Sequence, residues 1–217
     1  MRESTIRLPN ACVTRTLGQV PYTQTWHAMQ AFTAARDAAT ADELWLLEHP
    51  PIYTYGIAGR PAHLPQGHND VPVLKVDRGG QVTYHGPGQL IVYVLWDLTR
   101  AGFNVRQMVR RLEQAVIDLL AEYGVHAYGK EDAPGVYVEN AKIASLGLKI
   151  RKGCCYHGLA LNTDMDLSPF TRIDPCGYPS LRVTQLRDLN ITAHTADIGA
   201  RLLHYVRNAL ETPHERQ

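Results

Sequence analysis

Residues 78–98, RGGQVTYHGPGQLIVYVLWDL, separate the folds open to this chain. The first thirteen of them hold four glycines and a proline. Glycine allows positive φ and lets a ligand approach the backbone, so Gly79, Gly80, Gly86 and Gly88 read as a turn shaped around something, not as a strand interior. Arg78 and His85 bracket that turn with polar chemistry. The residues that follow, LIVYVLWDL, mix aromatic and β-branched side chains in an unbroken apolar run, the pattern of a buried strand. Glycines that lead into a strand rather than a helix lack the GxGxxG dinucleotide fingerprint and argue against a Rossmann fold. A glycine-rich loop fixed to a central strand is a favourable place for a binding site.

On the N-terminal side of this stretch, residues 12–17 alternate weakly as a strand, and Tyr22, Trp26 and Met29 fall at helical spacing in an alanine-rich segment reaching about residue 39. ELWLLEH, 43–49, is a short buried strand stopped by Pro50-Pro51, with His49 as a satisfied polar residue at its end. Residues 57–70 form a polar surface loop that could act as a flap, and Val71–Val76 return as a strand. On the C-terminal side, Asn104 caps a helix with Val105, Met108, Val109, Leu112, Val116, Leu119, Leu120 and Tyr123 on its apolar face and Gly124 as its stop. The segments VHAY, GVYVEN, KIASLGLKI and CCYHGLALN then read as an antiparallel meander with a tight turn at Glu139-Asn140-Ala141. Thr163–Ser180 is an irregular loop carrying DPCGYPS. LRVTQL is a short strand or a helix start, and Asp197–Leu210 is a final helix with Thr195 as its cap. Strands in two groups with helices interspersed predict an α+β fold, with a mixed or largely antiparallel sheet flanked by helices. At 217 residues and 45% hydrophobic composition, the chain is expected to form one domain over 1–217.

A formal net charge of +1 gives no global electrostatic case for a nucleic-acid or membrane partner. No apolar run reaches the roughly 18 residues of a membrane span, and MRESTIRLPN lacks a signal-peptide core, so a cytoplasmic protein is expected. Cys12, Cys154, Cys155 and Cys176 contain no CxxC pair and predict neither a zinc site nor a disulfide framework. Cys176, between Pro175 and Gly177, reads as an incidental loop thiol or as a nucleophile in need of a partner that favours its thiolate. Lys142 opens an otherwise apolar strand and is either a solvated strand end or a site cation. His85 and His157 compete as bases. Ser145–Gly147 and Gly158–Ala160 bring small residues to matching depth on consecutive strands, leaving room for a packed helix or for a ligand groove.

The blocks RGGQVTYHGPGQLIVY, AKIASLGLKIR, HGLALN and DPCGYPSLRVTQL, in this order, resemble the lipoyl(octanoyl) transferase family of lipoate biosynthesis. HPPIYTYG at 49–56 also resembles that family's early block, and the resemblance covers almost the whole chain. It implies the fold of the biotin and lipoate protein ligase catalytic domain. The activity implied is transfer of an octanoyl group from octanoyl-acyl carrier protein to a lysine of lipoyl domains, those of 2-oxoacid dehydrogenase E2 subunits and of the glycine cleavage H protein. Cys176 would be the acyl-thioester nucleophile and Lys142 the cation that lowers its pKa. Arg78, Gly79, Gly80, Gln81, Val82, Thr83, Tyr84 and His85, with Ser145, Leu146, Gly147, Gly158, Leu159 and Ala160, would line the acyl site. No cofactor and no metal are implied, and a monomer is expected. A donor thioester already carries the activation for transfer, so no ATP is called for. Arg106, Arg110 and Arg111, with Arg151-Lys152, offer a basic surface to an acidic carrier, although a charged helix face is commonly just a solvated one. The rivals are an ATP-dependent lipoate or biotin ligase and a non-catalytic domain that holds acylated carrier.

Overall fold

Strand β6 (Gln89–Asp97) is buried along its whole length apart from its last residue, and the rest of the sheet is laid out around it. The computed structural model describes residues 12–66, 70–174 and 181–212. Even-numbered residues Leu90, Val92, Val94 and Trp96 enter one core cluster, and Ile91, Tyr93 and Leu95 enter another on the opposite face. A strand that alternates between two apolar layers must be covered on both sides, which explains its unbroken apolar sequence.

The chain enters through β1 (Val13–Gln19), helix α1 (Tyr22–Ala35) and β2 (Glu43–Glu48). After β6 come the single-turn α2 (Leu98–Ala101) and the long α3 (Val105–Ala121). A capping box starts α3: Asn104 Oδ1 accepts from Gln107 N–H and Gln107 Oε1 from Asn104 N–H, each at 2.9 Å. Then follow β7 (Tyr128–Gly129), β8 (Gly135–Val138), β9 (Ala141–Arg151), β10 (Cys154–Asn162) and the closing helix α4 (Thr195–Glu211). The large sheet has the order β1-β2-β6-β10-β9-β8-β7, parallel only between β1 and β2. It is the mixed, largely antiparallel α+β sheet expected from the strand grouping. Helices α3 and α4 cover one face and α1 the other.

Two turns in the meander use positive φ, Glu139-Asn140 at +47° and +66° and Lys152-Gly153 at +49° and +78°. Such pairs match the twist of hairpin strands. The Glu139-Asn140 turn is thus two residues long, and Ala141 already belongs to β9.

The structure corrects several expectations. β3 (Ile52–Tyr55) begins just after Pro50-Pro51 and joins β4 (Val73–Lys75) and β5 (Val82–His85) in a second, three-stranded sheet. Val82–His85, read as part of a glycine-rich turn, is therefore a strand, and only its two flanks are turns. Of VHAY only Tyr128 enters a strand. LRVTQL contributes one parallel bridge, Val183 to Lys142. His194 is the N-cap of α4, and Thr195 is its first helical residue. Val105 is 44% exposed and does not share the buried face of α3. Both Cys154 and Cys155 are buried, where alternation allowed for one.

At Gly158 β10 runs so close to β6 that a Cβ would stand 2.0 Å from Val92 O, a backbone atom that cannot rotate away. Gly158→Ala is therefore expected to destabilise the fold by about 2 kcal/mol or more. Urea unfolding checks this, and an unchanged midpoint would mean that β6 yields at that point.

Candidate active site

Strand β9 carries one residue more than β8 needs: Val136 pairs with Ala144 but Tyr137 pairs with Lys142. The extra residue is a bulge at Ile143, and Ile143 and Ala144 both turn into the α3/α4 core. Lys142 and Ser145, three positions apart, are thereby brought to the same face of the sheet. Lys142 is 2% exposed. Its Nζ donates to Pro134 O at 2.9 Å and lies 5.2 Å from the Tyr137 ring centroid. Gly135 makes this possible, since a Cβ there would meet Lys142 Cε at 2.5 Å. The backbone of Lys142 is gripped by the segment that follows position 180: its N–H donates to Arg182 O at 2.8 Å and its carbonyl accepts from Thr184 N–H at 3.0 Å. Cys176 lies outside the described residues. On its other side, Asp174 N–H donates to His63 O at 3.3 Å.

On the same face as Lys142 runs a cavity whose lining includes Arg78, Gly80, Gln81, Val82, Thr83 and His85 from the loop and β5. Ser145, Leu146 and Gly147 from β9 and Gly158, Leu159 and Ala160 from β10 complete the expected part of it. Gly147 lets the Arg78 stem lie flat over β9, because a Cβ there would be 3.1 Å from Arg78 Cδ. Two expected residues stand apart from the lining. Gly79 instead donates its N–H to Leu148 O at 2.8 Å, and Tyr84 packs beside Tyr53 and Phe170 with ring centroids 5.3 and 5.7 Å away.

Four lining residues, Tyr22, Ile91, Tyr93 and His157, were not among those expected to line it. For Ile91 and Tyr93 a signal existed, because odd positions of β6 share a face and Tyr93 pairs with Gly158. Tyr22 reads in sequence as a core residue of α1, and it is one, since a core residue can also wall a cavity.

The polar groups around the cavity are bonded in a way that fixes their protonation. Gln89 Nε2 donates to Tyr84 O and Asn162 Oδ1 at 3.2 and 2.9 Å, so its Oε1 faces His85 Nδ1 at 2.7 Å as acceptor. His85 therefore holds its proton on Nδ1, and its Nε2 is free to accept from Thr54 Oγ1 at 3.3 Å. Thr54 Oγ1 in turn accepts from Arg78 Nη2 at 2.9 Å. Burial lowers the His85 pKa well below the usual 6.5. His49 behaves alike: Nδ1 donates to Val20 O, Nε2 accepts from Tyr93 Oη at 2.7 Å, and burial pushes its pKa down to about 4.

Asp77, which the sequence did not single out, gathers four donors. Trp26 Nε1 reaches Oδ1 at 2.8 Å, Gln30 Nε2 reaches Oδ2 at 3.1 Å, Tyr156 Oη donates to Oδ2, and His157 Nε2 donates to Oδ1 at 3.0 Å. Burial alone would raise the carboxyl's pKa, but the hydrogen bonds from His157, Tyr156, Gln30 and Trp26 outweigh it and hold the group well below 3.8. The three described cysteines are poor thiolates. Burial pushes Cys12 and Cys155 up to about 12 and also raises Cys154.

The basic surface is smaller than the sequence suggested. Arg110 pairs with Glu131 at 2.6 Å, while Arg111 lies 4.3 Å over the Phe103 ring and donates to Thr212 O at 3.0 Å, fastening α3 to the end of α4. No helix among the described residues is long and apolar enough to cross a membrane.

An open, largely antiparallel sheet flanked by helices, with a cavity between its β9–β10 face and the glycine-rich loop, defines a catalytic domain of the lipoate and biotin ligase type. The fold resembles the bi-partite lipoate protein ligase of Thermoplasma acidophilum at TM-score 0.75 and 17% identity, over 95% of this chain and 87% of that one. It also resembles the biotin protein ligase of Aquifex aeolicus, solved with biotin and ATP, at TM-score 0.58 and 14% identity, over 92% and 70%. Residues 21–207 match the family described as the lipoyl protein ligase A/B catalytic domain. An octanoyltransferase of Chromobacterium violaceum is 58% identical over 199 residues, 92% of this chain and 96% of that relative. The chain belongs to the lipoyl protein ligase A/B family and, within it, to the octanoyltransferases, which are acyltransferase enzymes.

Because Asp77 titrates below its unfolded value, the unfolded chain takes up a proton there first. The carboxylate's contribution is complete above about pH 5 and is lost as pH falls through the lower, folded-state value. Asp77→Asn is expected to cost about 1–3 kcal/mol at pH 7. The gap to wild type narrows at pH 3, read by denaturant unfolding at both pH values. A gap of constant size would remove the carboxylate from this role.

Proposed function

We propose that this enzyme moves an octanoyl group from octanoyl-acyl carrier protein to a lysine of lipoyl domains, in the cytoplasm, by way of an acyl thioester on Cys176. The acceptors on this reading are lipoyl domains of 2-oxoacid dehydrogenase E2 subunits and the glycine cleavage H protein. The observation that carries it is Lys142: a lysine buried on the face of the sheet that carries the cavity, its backbone bonded to Arg182 and Thr184 just beyond Cys176 in sequence. A cation in low dielectric favours thiolate over thiol. The other three cysteines are buried with raised pKa values, which adds support for Cys176 as the nucleophile. The octanoyltransferase relative supports the acyl group, and the archaeal ligase, studied with its E2 lipoyl domain, supports the acceptor class.

In the first step the Cys176 thiolate adds to the donor carbonyl, and the carbon–sulfur bond to the carrier breaks. The departing carrier thiolate takes a proton, which the Lys142 ammonium can supply. Exchange of one thioester for another conserves the acyl-transfer potential, so no nucleotide is consumed. In the second step the acceptor amine attacks the acyl-Cys176 carbonyl, the carbon–nitrogen bond forms, and Cys176 leaves as a thiolate. The proton shed by the amine returns to the neutral Lys142. His85 is poorly suited to take it, since both of its ring nitrogens are already engaged.

Wild-type protein given octanoyl-carrier is expected to gain one octanoyl mass, removable with hydroxylamine, and to modify apo lipoyl domain after apyrase treatment and magnesium chelation. Cys176→Ala should abolish both. Lys142→Ala should slow transfer on the order of a hundredfold and raise the pH midpoint of Cys176 alkylation by iodoacetamide. Transfer that disappears with nucleotide would favour an ATP-dependent ligase, and an adduct that never leaves would favour a carrier-binding domain.

A further inference from the structure

His157 is unusual on three counts. It sits within β10 at φ +64°, a left-handed conformation that costs an ordinary residue about 1 kcal/mol or more. It is 1% exposed, and its Nδ1 has no hydrogen-bond partner in the protein. Its ring nevertheless stands in the cavity wall. The positive φ lets the consecutive residues Tyr156 and His157 both reach Asp77, with their rings stacked 5.1 Å apart. Since Nε2 donates to the carboxylate, Nδ1 is a bare lone pair.

Where this ring stands relative to Lys142 gives it a role. The Lys142 ammonium leans along the sheet to the level of Gly135, where a Cβ would be 2.9 Å from Nζ, and Gly135 pairs with Ser145. His157 pairs with Leu148, three residues further along β9 and two strands over from β8. At about 3.3 Å per residue and about 4.8 Å per strand, the two levels are roughly 14 Å apart. A thiolate in contact with the ammonium takes up about 4 Å of that. The remainder, about 10 Å, compares with about 9 Å for an extended octanoyl chain of ~1.5 Å bonds. The cavity is roofed at the same level: Gly79 N–H is bonded to Leu148 O, and the Arg78 stem covers Gly147.

We infer that His157, held by Asp77, is the end wall of the acyl cavity and sets the length of acyl chain the enzyme accepts. This inference rests on the thioester forming beside Lys142. His157 makes no contact with the reacting carbonyl; it acts on the far end of the chain. Its strained backbone and fixed tautomer are what hold a rigid ring there, and Asp77 keeps three other donors if the ring is removed.

The test uses two variants and a series of acyl-carrier thioesters. Glycine adopts φ +64° without strain, so His157→Gly deletes the wall while relieving the backbone. His157→Asn keeps a donor for Asp77 and tolerates the same φ, but is shorter. Each methylene that gains a buried place is worth about fourfold. The ratio of kcat/KM for decanoyl over octanoyl should therefore rise about tenfold or more in His157→Gly and by less in His157→Asn. An unchanged ratio in both variants overturns the inference, whether or not absolute rates fall, because a purely structural histidine would slow all chains alike. Should wild type itself form no octanoyl adduct, the failure lies with the thioester reading and removes the basis for this one.

Discussion

A single buried run of hydrogen bonds joins the two sheets and ends beside Lys142. Arg78 donates to Thr54, Thr54 to His85, His85 to Gln89, Gln89 to Asn162, and Asn162 Nδ2 to Thr184 O at 2.9 Å. Every donor in it faces an acceptor, and the direction of each bond follows from its neighbours. Such a chain is rigid because loss of one member leaves a buried polar atom unsatisfied, at about 1–3 kcal/mol. It spans β3, β5, β6 and β10 and the segment that grips the Lys142 backbone. The glycine-rich loop and the lysine are thus held by one network although they are far apart in sequence.

Two small departures from regular strand geometry then shape the site. The bulge at Ile143 turns Lys142 to the cavity face, and the positive φ at His157 turns a ring toward Asp77 at the other end. Between them β9 and β10 present Ser145, Gly147, Gly158 and Ala160. Small side chains on a flat, closely paired surface leave a slot along the strands, and Ile91 and Tyr93 line it from β6. A saturated chain gains by lying in such a slot because its methylenes leave water without asking for any hydrogen bond.

The large sheet was legible because its signals are periodic. β6, β9 and β10 follow apolar runs of strand length, and α3 follows a 3.6-residue pattern with its cap written at Asn104. Of the three-stranded sheet only β4 was legible, inside the strand read at Val71–Val76; β3 starts directly after Pro50-Pro51 and β5 hides between glycines. Its pairing spans residues 52 to 85, and no local pattern reports a contact at that range. The loop, β9 and β10 parts of the cavity were named through a family resemblance carried by Arg78–His85, Ser145–Gly147 and Gly158–Ala160. Asp77 escaped notice because a lone aspartate in a polar loop has no periodicity, and its meaning comes only from the α1 and β10 side chains that converge on it. Tyr84 was grouped with the cavity because it lies inside a motif, yet its ring packs against Tyr53 and Phe170 instead.

The two faces of the sheet do different work. Toward α3 and α4 the contacts are mainly Leu, Val, Ile and Met packed to near-zero exposure, and the buried carboxyl on α3, Glu113, accepts from Gly135 N–H at 2.8 Å. Toward the cavity stand a buried ammonium, a histidine with a strained backbone and a bare nitrogen, and a carboxylate drawn below its ordinary pKa. Each of the first two opposes folding by a kcal/mol or more on general grounds. Apolar burial on the helical face is large enough to offset them, since one buried leucine contributes about 1.5–3 kcal/mol. A substitution on the helical face should therefore lower stability with little change in selectivity. On the cavity face, removing a strained or desolvated group can leave stability unchanged or even raise it while altering the chemistry. That asymmetry follows from placing the energetic cost of the site on one side of a sheet and its support on the other.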